Sequence, residues 1–169
     1  MKIILLGYMA SGKTFVAKLL SKKTGLKHID LDEYIEEKEN LEIAKIFSKN
    51  GEIQFRLLEN FYLNALLNRK DDFILSVGGG TPCYANNMEL ISEKSNSFYL
   101  KASIDTLYDR IIKEKKKRPL VAEIPDAKLK EFFAKHLFER SVFYNKAYHT
   151  IEVSDKSIEV IINEILLQI

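Results

Sequence analysis

The sequence is poor in cysteine and proline and has no long hydrophobic run, and each shortage excludes a class of protein. The single cysteine, Cys83, cannot form an internal disulfide and is typical of a reducing cytosol. No apolar run approaches the ~18 residues that a membrane span needs, and the first residues lack the features of a signal peptide. Three prolines and seven glycines among 169 residues leave no long flexible linker. We therefore expect one cytoplasmic domain over residues 1–169 that does not enter a membrane.

The sequence also has little excess charge of either sign. Lysine and arginine number 26 and aspartate and glutamate number 24, which gives a formal net charge of +2. This balance gives no reason to expect binding to nucleic acid or to a membrane surface. Hydrophobic residues make up 46% of the chain and charged residues 30%, as in a globular domain with a substantial core.

Short apolar runs alternate with segments of helical periodicity along the chain. Residues 2–7 and 73–80 have the continuous apolar character of strands that are covered on both faces. Long periodic segments at 52–70 and 127–146 predict helices. The alternation predicts an α/β domain of three layers, with a five-stranded parallel sheet between helices. The predicted strands comprise residues 2–7, 26–32, 73–80, 96–102 and 149–154.

The stretch GYMASGKT, residues 7–14, has the pattern G-x-x-x-x-G-K-[ST] between the first strand and the first helix. Backbone N–H groups there can surround a phosphate at the positive end of the helix. Lys13 would reach the β- and γ-phosphates, and the Thr14 hydroxyl would bind Mg²⁺. An ordinary turn is the alternative, but the strand-to-helix context favours a nucleotide site. The candidate ATP-binding residues are Ala10, Ser11, Gly12, Lys13, Thr14 and Phe15, the last with a side chain that we expect to pack into the sheet.

Further motifs follow this P-loop along the chain. They are DLD (30–32), IFSKNGEIQFRLLE (46–59), SVGGG (76–80), RPL (118–120) and ERSVFYNKA (139–147). The Asn-Lys-x-Asp motif with which GTPases read guanine is missing. The motifs, in this order from the first strand to the final helix, resemble those of the shikimate kinase family.

The resemblance implies a fold like that of the P-loop nucleoside-monophosphate kinases and a definite reaction. A shikimate kinase uses ATP and Mg²⁺ to phosphorylate the 3-hydroxyl of shikimate, a step of aromatic amino-acid biosynthesis. For this chain the resemblance implies substrate-binding helices within residues 32–70, a lid at 113–126 and a monomer. A kinase for another small anion such as gluconate, or a nucleotide-binding regulatory module without turnover, is the alternative.

Two aspartates lie two residues apart at the end of the second predicted strand. Asp30 and Asp32 would therefore point the same way from an extended backbone. The resemblance implies that Asp32 binds the ring hydroxyls and is the catalytic base, whereas Asp30 and Ser76 reach the metal through water. Capping of the following helix is the alternative role, and Asp32 could combine it with catalysis.

Two arginines are the candidates for holding a carboxylate. The resemblance implies that Arg56 and Arg140 clamp the acid of shikimate, a role that suits the planar guanidinium fork. Arg140 falls in register with an apolar helical stripe, so it faces inward and needs an anionic partner. For Arg56 the alternative is an ion pair with Glu52 or Glu59 on its own helix. With the resemblance we favour substrate binding, with Glu59 orienting Arg56.

The resemblance assigns the remaining substrate contacts to aromatic residues and glycines. Phe47 and Phe55 would form an apolar wall under the ring, although by themselves they read as core residues. Gly78, Gly79 and Gly80 would let the backbone approach the ring closely. A flexible turn is the alternative for the three glycines.

Residues 113–126 carry a cluster of basic residues and two prolines, and we expect them to form a mobile loop. The resemblance makes this loop the lid and places Arg118 on the transferred phosphoryl group as a catalytic residue. It assigns adenine stacking to Arg110. The lysines of the cluster read as a solvated face.

Some positions depart from the family pattern. Ala10 stands where glycine is usual, which is tolerable if its φ is negative. Leu31, within DLD, replaces a common serine or threonine. Cys83 has no basic partner placed to activate it, so we do not expect it to be a nucleophile.

Overall fold

A five-stranded parallel sheet organises the molecule. The computed structural model describes the backbone of residues 1–169 and all side chains except those of Lys117 and Pro119. The strands are β1 (Lys2–Leu6), β2 (Lys27–Asp30), β3 (Phe73–Ser76), β4 (Asn96–Lys101) and β5 (His149–Glu152). The helices are α1 (Lys13–Thr24), α2 (Leu31–Glu39), α3 (Ile43–Leu67), α4 (Asn87–Lys94), α5 (Ile104–Ile112), α6 (Pro119–Ala122), α7 (Asp126–Tyr144) and α8 (Ile158–Leu166).

The strand order β2-β3-β1-β4-β5 places the end of β1 at the centre of one sheet edge. All four strand pairs are parallel, with Ile4 of β1 opposite Leu75 of β3 and Ser97 of β4. Since the chain order reverses beside β1, a crevice opens at its carboxyl end, where ligands of open α/β sheets bind. The P-loop follows β1 directly and so lies at this crevice.

The core lies on both faces of the three central strands. Residues 3–6 of β1 are fully buried, as are Phe98 of β4 and Phe73 of β3. The edge strands β2 and β5 are more accessible, since each has only one neighbouring strand, and each has a single buried residue, Ile29 in β2 and Ile151 in β5. The predicted α/β class and all five strands are thus confirmed, with strands shorter than predicted. No described helix has the length and apolar character needed to cross a membrane.

Several predicted boundaries shift in the structure. Helix α3 includes most of the predicted helix 52–70 but begins at Ile43, is kinked at Gly51 (φ 81°, ψ 171°) and ends at Leu67. Helix α4 has no counterpart among the elements predicted from the sequence. The predicted loop 113–126 contains a 3₁₀ turn at Lys115–Lys117 and the short helix α6, and Val121 within it is fully buried.

The prediction that Asp30 and Asp32 lie on one extended strand is wrong. Strand β2 ends at Asp30, and Asp32 already belongs to the first turn of α2. Asp30, not Asp32, caps that helix, since its Oδ1 accepts the backbone N–H of Asp32 at 3.1 Å. Asp30 caps the helix, and Asp32 and Glu33 are favourable acidic residues in its first turn. The helix therefore starts two residues earlier than an extended DLD would allow.

Candidate active site

A cavity of about 780 Å³ opens at the carboxyl ends of β1, β2 and β3, beside the start of α1. Most of the residues predicted to bind ATP, metal or the reacting groups line it. They are Ala10, Ser11, Gly12, Lys13, Thr14, Phe15, Asp30, Asp32, Gly78, Gly79, Arg110 and Arg118. The structure thus brings together side chains that are more than 100 residues apart in the sequence.

The lysine of the P-loop forms hydrogen bonds with the backbone of the same loop. Lys13 Nζ donates to the carbonyl oxygens of Gly7 at 2.9 Å and Tyr8 at 3.0 Å. Burial lowers the pKa of Lys13 to about 8, and the charges of Asp32 and Asp30 offset part of this effect. The buried Ser11 hydroxyl has no hydrogen-bond partner among the described residues. The loop therefore presents an ammonium group and a hydroxyl that an anion in the cavity would satisfy.

Two expectations about the P-loop are wrong. Ala10 has φ 60°, so the negative φ that would make alanine tolerable here is not present. Phe15 does not pack into the sheet: its side chain is 60% exposed and lies at the cavity. Val16, Ala17 and Leu20 occupy the buried side of α1. Phe15 therefore lies on the outer side of the helix.

The strained alanine leads to a stability prediction. A left-handed conformation costs an alanine about 1–2 kcal/mol, whereas glycine loses about 0.4–1 kcal/mol through the entropy of the unfolded chain. Ala10→Gly should therefore raise the free energy of unfolding by roughly 0.5–1 kcal/mol. The control is Ala134→Gly, in the exposed middle of α7, which should lower it by about 1 kcal/mol. Chemical denaturation measures both, and a destabilised Ala10→Gly would contradict the prediction.

Hydroxyl and carboxylate oxygens meet beside the P-loop. Asp30 Oδ2 accepts from Ser76 Oγ at 2.9 Å and from Thr14 Oγ1 at 3.4 Å. His28 Nε2 lies 2.9 Å from Ser76 Oγ. Because Ser76 donates to Asp30, the His28 nitrogen must be the donor to Ser76. Among the described residues no three His, Cys, Asp or Glu side chains form a metal-binding cluster, so a cation here would take few protein ligands.

Asp32 lies on the cavity wall at the start of α2. It is partly buried, and this burial raises the pKa of its carboxyl to about 6, with further increases from the charges of Asp30 and Glu59. Lys13 and Arg56 act in the opposite direction. A carboxylate with a pKa near 6 is deprotonated at neutral pH but still basic enough to accept a proton.

Arg56 is held by two acids of its own helix. Its Nη1 donates to Glu59 Oε2 at 2.5 Å, and its Nη2 donates to Glu52 Oε1 at 3.3 Å. Glu59 is 1% exposed and Glu52 is 66% exposed. The ion pairs that were the alternative for Arg56 are therefore present, but a second arginine shares its pocket.

That second arginine, Arg140, has no ion-pair partner among the described side chains. Its guanidinium lies 5.6 Å from the centre of the Tyr8 ring, a cation–π contact. Arg56 and Arg140 line one cavity of about 320 Å³. The other lining residues are Glu52, Ile53, Gly80, Cys83 and Tyr84. Two cations that face one pocket, one of them without an acid, form an anion site.

The two remaining arginines and the two phenylalanines of the predicted site have partners within the protein. Arg110 Nη1 donates to the Ala10 carbonyl oxygen at 3.0 Å, and Arg118 Nη2 lies 3.4 Å from Glu114 Oε2. Phe47 and Phe55 pack on each other with ring centres 4.6 Å apart. Within the described part of the chain neither ring lines the two cavities, and their contact with a substrate ring stays a prediction.

A family model described as shikimate kinase matches residues 9–169. The chain belongs to the shikimate kinase family. The shikimate kinase of Flavobacterium johnsoniae is 49% identical over 166 residues, which cover 98% of this chain and 96% of the relative. The predicted family is therefore confirmed.

Solved shikimate kinases share the whole fold. The crystal structure of the Bacteroides thetaiotaomicron enzyme has a TM-score of 0.91 at 31% identity and covers 100% of this chain and 99% of its own. The Acinetobacter baumannii enzyme, solved in complex with shikimate, has a TM-score of 0.87 at 31% identity and covers 99% and 91%. These matches confirm the predicted fold class.

The triple glycine of the shikimate kinase motif forms the boundary between the two cavities. Gly78 and Gly79 line the larger cavity and Gly80 lines the smaller one. A Cβ atom on Gly80 would lie 2.6–2.8 Å from the guanidinium of Arg56. A side chain at this position would therefore displace the Arg56 guanidinium from its present place, which a flexible turn alone would not explain.

Sequence reasoning missed two polar residues around the shikimate kinase site. His28 is two residues before Asp30 on β2, so the period of the strand could have placed it on the same side. Thr81 donates its hydroxyl to Glu59 at 2.5 Å. No local pattern indicates that contact, because the two residues are 22 positions apart.

Proposed function

We propose that this chain transfers the γ-phosphoryl group of ATP to the 3-hydroxyl of shikimate. Family membership supports the reaction, and the observation that carries it for this chain is Arg140. This inward arginine, which pairs with no acid among the described residues, shares a small pocket with Arg56 beside the predicted phosphate-binding loop. A substrate that is both a carboxylic acid and an alcohol fits this pair of adjoining sites.

The two arginines would bind the carboxylate of the acceptor. Each guanidinium can donate two parallel hydrogen bonds to a carboxylate. Glu59 fixes Arg56 from behind, and Glu52 reaches the same arginine from the accessible side. The acid of the substrate would displace the exposed Glu52, because the buried Glu59 cannot leave without exposing its own charge.

The larger cavity would hold ATP with its phosphates on the P-loop. The backbone N–H groups of residues 10–15, Lys13 and the Ser11 hydroxyl would bind phosphate oxygens. Arg110, at the edge of the cavity, would contact adenine. We include Phe15 in the nucleotide site because of its exposed position there.

The oxygen cluster beside the P-loop fits Mg²⁺. The Thr14 hydroxyl would bind the ion directly, and Asp30 and Ser76 would bind it through water, as suits an ion that keeps much of its hydration shell. When bound, Mg²⁺ supplies charge neutralisation at the phosphates of the nucleotide.

Asp32 would be the catalytic base. Its carboxylate would accept the proton of the acceptor hydroxyl as the oxygen attacks phosphorus. Lys13 and Arg118, on the wall of the same cavity, would stabilise the charge on the transferred phosphoryl group. Residues 113–126 would act as the lid that brings Arg118 forward and excludes water, and α2 and α3 would carry the acceptor-binding residues.

We further propose that the enzyme acts as a monomer in the cytoplasm. All groups assigned above come from one chain. The free thiol of Cys83 suits a reducing compartment.

Release of ADP with different acceptors tests the proposal. Shikimate should accelerate release well above the rate without acceptor, whereas gluconate and nucleoside monophosphates should not. If shikimate gives no more ADP than buffer, the substrate is wrong; if gluconate alone is active, the enzyme is a kinase for a different acid. A wild-type protein that binds ATP but turns over no acceptor would indicate a regulatory module.

A further inference from the structure

Glu59 is the most deeply buried carboxylate around the acceptor pocket. It is 1% exposed, and each of its oxygens accepts one short hydrogen bond. Oε2 accepts from Arg56 Nη1 at 2.5 Å, and Oε1 accepts from Thr81 Oγ1 at 2.5 Å. A buried carboxylate is costly unless its oxygens are satisfied. The position of Glu59 therefore depends on Thr81 as well as on Arg56.

Thr81 is itself held from the other side by Asn87, which is in turn held by Asn60. The fully buried Asn87 donates Nδ2 to the Thr81 carbonyl oxygen at 2.8 Å. Asn87 Oδ1 accepts from Asn60 Nδ2 at 2.7 Å. Because Asn60 follows Glu59 on α3, the hydrogen bonds close a ring between α3, the start of α4 and the turn after the triple glycine. This ring fixes the Thr81 hydroxyl relative to Glu59.

The turn that contains Thr81 also lies against Arg56. Gly80 faces the guanidinium so closely that a Cβ atom would lie 2.6–2.8 Å from it. The Thr81 backbone N–H donates to the Gly78 carbonyl oxygen at 3.1 Å, which fixes the turn that carries Gly80. Arg56 thus lies between Glu59 and the glycine turn. Thr81 contacts Glu59 through its hydroxyl and is part of the turn through its backbone.

We propose that Thr81 is a positioning residue of the acceptor pocket, which holds Glu59 and through it aims Arg56 at the substrate carboxylate. This inference rests on the proposed function. Without the Thr81 hydroxyl, Glu59 Oε1 loses its donor within the core, so the carboxylate turns away from its present position. Arg56 is then drawn to Glu52, which is already 3.3 Å away at the accessible side of the pocket. The acceptor would lose one of its two guanidinium partners.

The test compares Thr81→Val, which removes the hydroxyl at nearly constant shape, with Thr81→Ser, which retains it. A hydrogen bond to a charged group corresponds to roughly a tenfold effect or more. Thr81→Val should raise KM for shikimate roughly tenfold, with KM for ATP and kcat at saturating shikimate within about twofold. Thr81→Ser should restore the wild-type KM for shikimate. Thr81→Ala is a second variant for the case that valine prevents folding.

A double-mutant cycle with Glu59→Gln tests whether Thr81 affects KM for shikimate through Glu59. If Thr81 acts through Glu59, the Thr81→Val change should alter KM for shikimate by less than about twofold in the Glu59→Gln background. An equal effect in both backgrounds would overturn the proposal, as would an unchanged KM for shikimate in Thr81→Val and Thr81→Ala, or an equal rise of both KM values. If the wild-type enzyme releases no ADP with shikimate, the proposed function fails instead.

Discussion

Asp32→Asn is expected to lower kcat with shikimate about a thousandfold while making the protein more stable. General-base catalysis contributes about 10²–10⁴ in rate, and an amide cannot accept the hydroxyl proton. The wild-type kcat/KM for shikimate should fall about tenfold per pH unit below pH 6, because the pKa of Asp32 is raised to about 6 and the protonated acid is inactive. Steady-state rates between pH 5 and 8 measure both effects.

The stability gain follows from the direction of the same pKa shift. The folded protein binds the Asp32 proton more tightly than the unfolded chain, so stability is lost as pH rises from about 4 to about 6. At pH 7 the whole penalty, about 2–3 kcal/mol, is present in the wild type and absent in Asp32→Asn. The variant should unfold about 5 °C higher at pH 7, and its advantage should vanish below pH 4.

The matched control for Asp32→Asn is Glu37→Gln, on the exposed side of the same helix. Glu37→Gln should leave both the rate and the midpoint of thermal unfolding unchanged. An Asp32→Asn enzyme that keeps more than a tenth of the wild-type kcat would contradict the assigned base. A lower unfolding temperature at pH 7 would mean that the Asp32 carboxylate stabilises the fold instead.

Arg140→Ala is expected to raise KM for shikimate by about a hundredfold or more, with KM for ATP within a few-fold. Truncation of one partner of a desolvated, hydrogen-bonded charge pair costs about 2–5 kcal/mol in binding. Stability should not fall much, because Arg140 neutralises no carboxylate among the described residues. Kinetics with each substrate varied in turn, together with thermal unfolding, test both statements.

Arg56→Ala provides the contrast for Arg140→Ala. It should weaken shikimate binding similarly, but it also leaves Glu59 as a buried carboxylate without its ion pair. The expected loss of stability is about 3–5 kcal/mol. If Arg140→Ala is the less stable variant of the two, or if it loses ATP and shikimate equally, Arg140 has a structural role and not the proposed one.

The parts of the site that the sequence predicted are those encoded by short contiguous patterns. The P-loop is one run of eight residues between a strand and a helix, so its position at the crevice follows from local structure. The sheet was predictable because buried parallel strands are continuous apolar runs. The inward direction of Arg140 was predictable because it is in register with the apolar residues of α7.

The wrong or missing predictions concern residues whose positions depend on the local backbone conformation or on contacts with residues far away in the sequence. Asp30 starts α2 by capping, so the two aspartates are not on one strand. The φ of Ala10 is set by the geometry of the P-loop, which overrides the preference of alanine. Helix α4 was missed because it is short and has polar residues at five of its eight positions. The bond from Thr81 to Glu59 joins residues far apart in the chain, which no periodicity indicates.

A crystal structure with ADP and shikimate bound together tests the central claim most directly. The account predicts the diphosphate on the N–H groups of the P-loop, the shikimate carboxylate between Arg56 and Arg140, and the 3-hydroxyl facing Asp32. Shikimate bound with its carboxylate away from both arginines, or a pocket left empty at saturating concentration while ADP is in place, would contradict it.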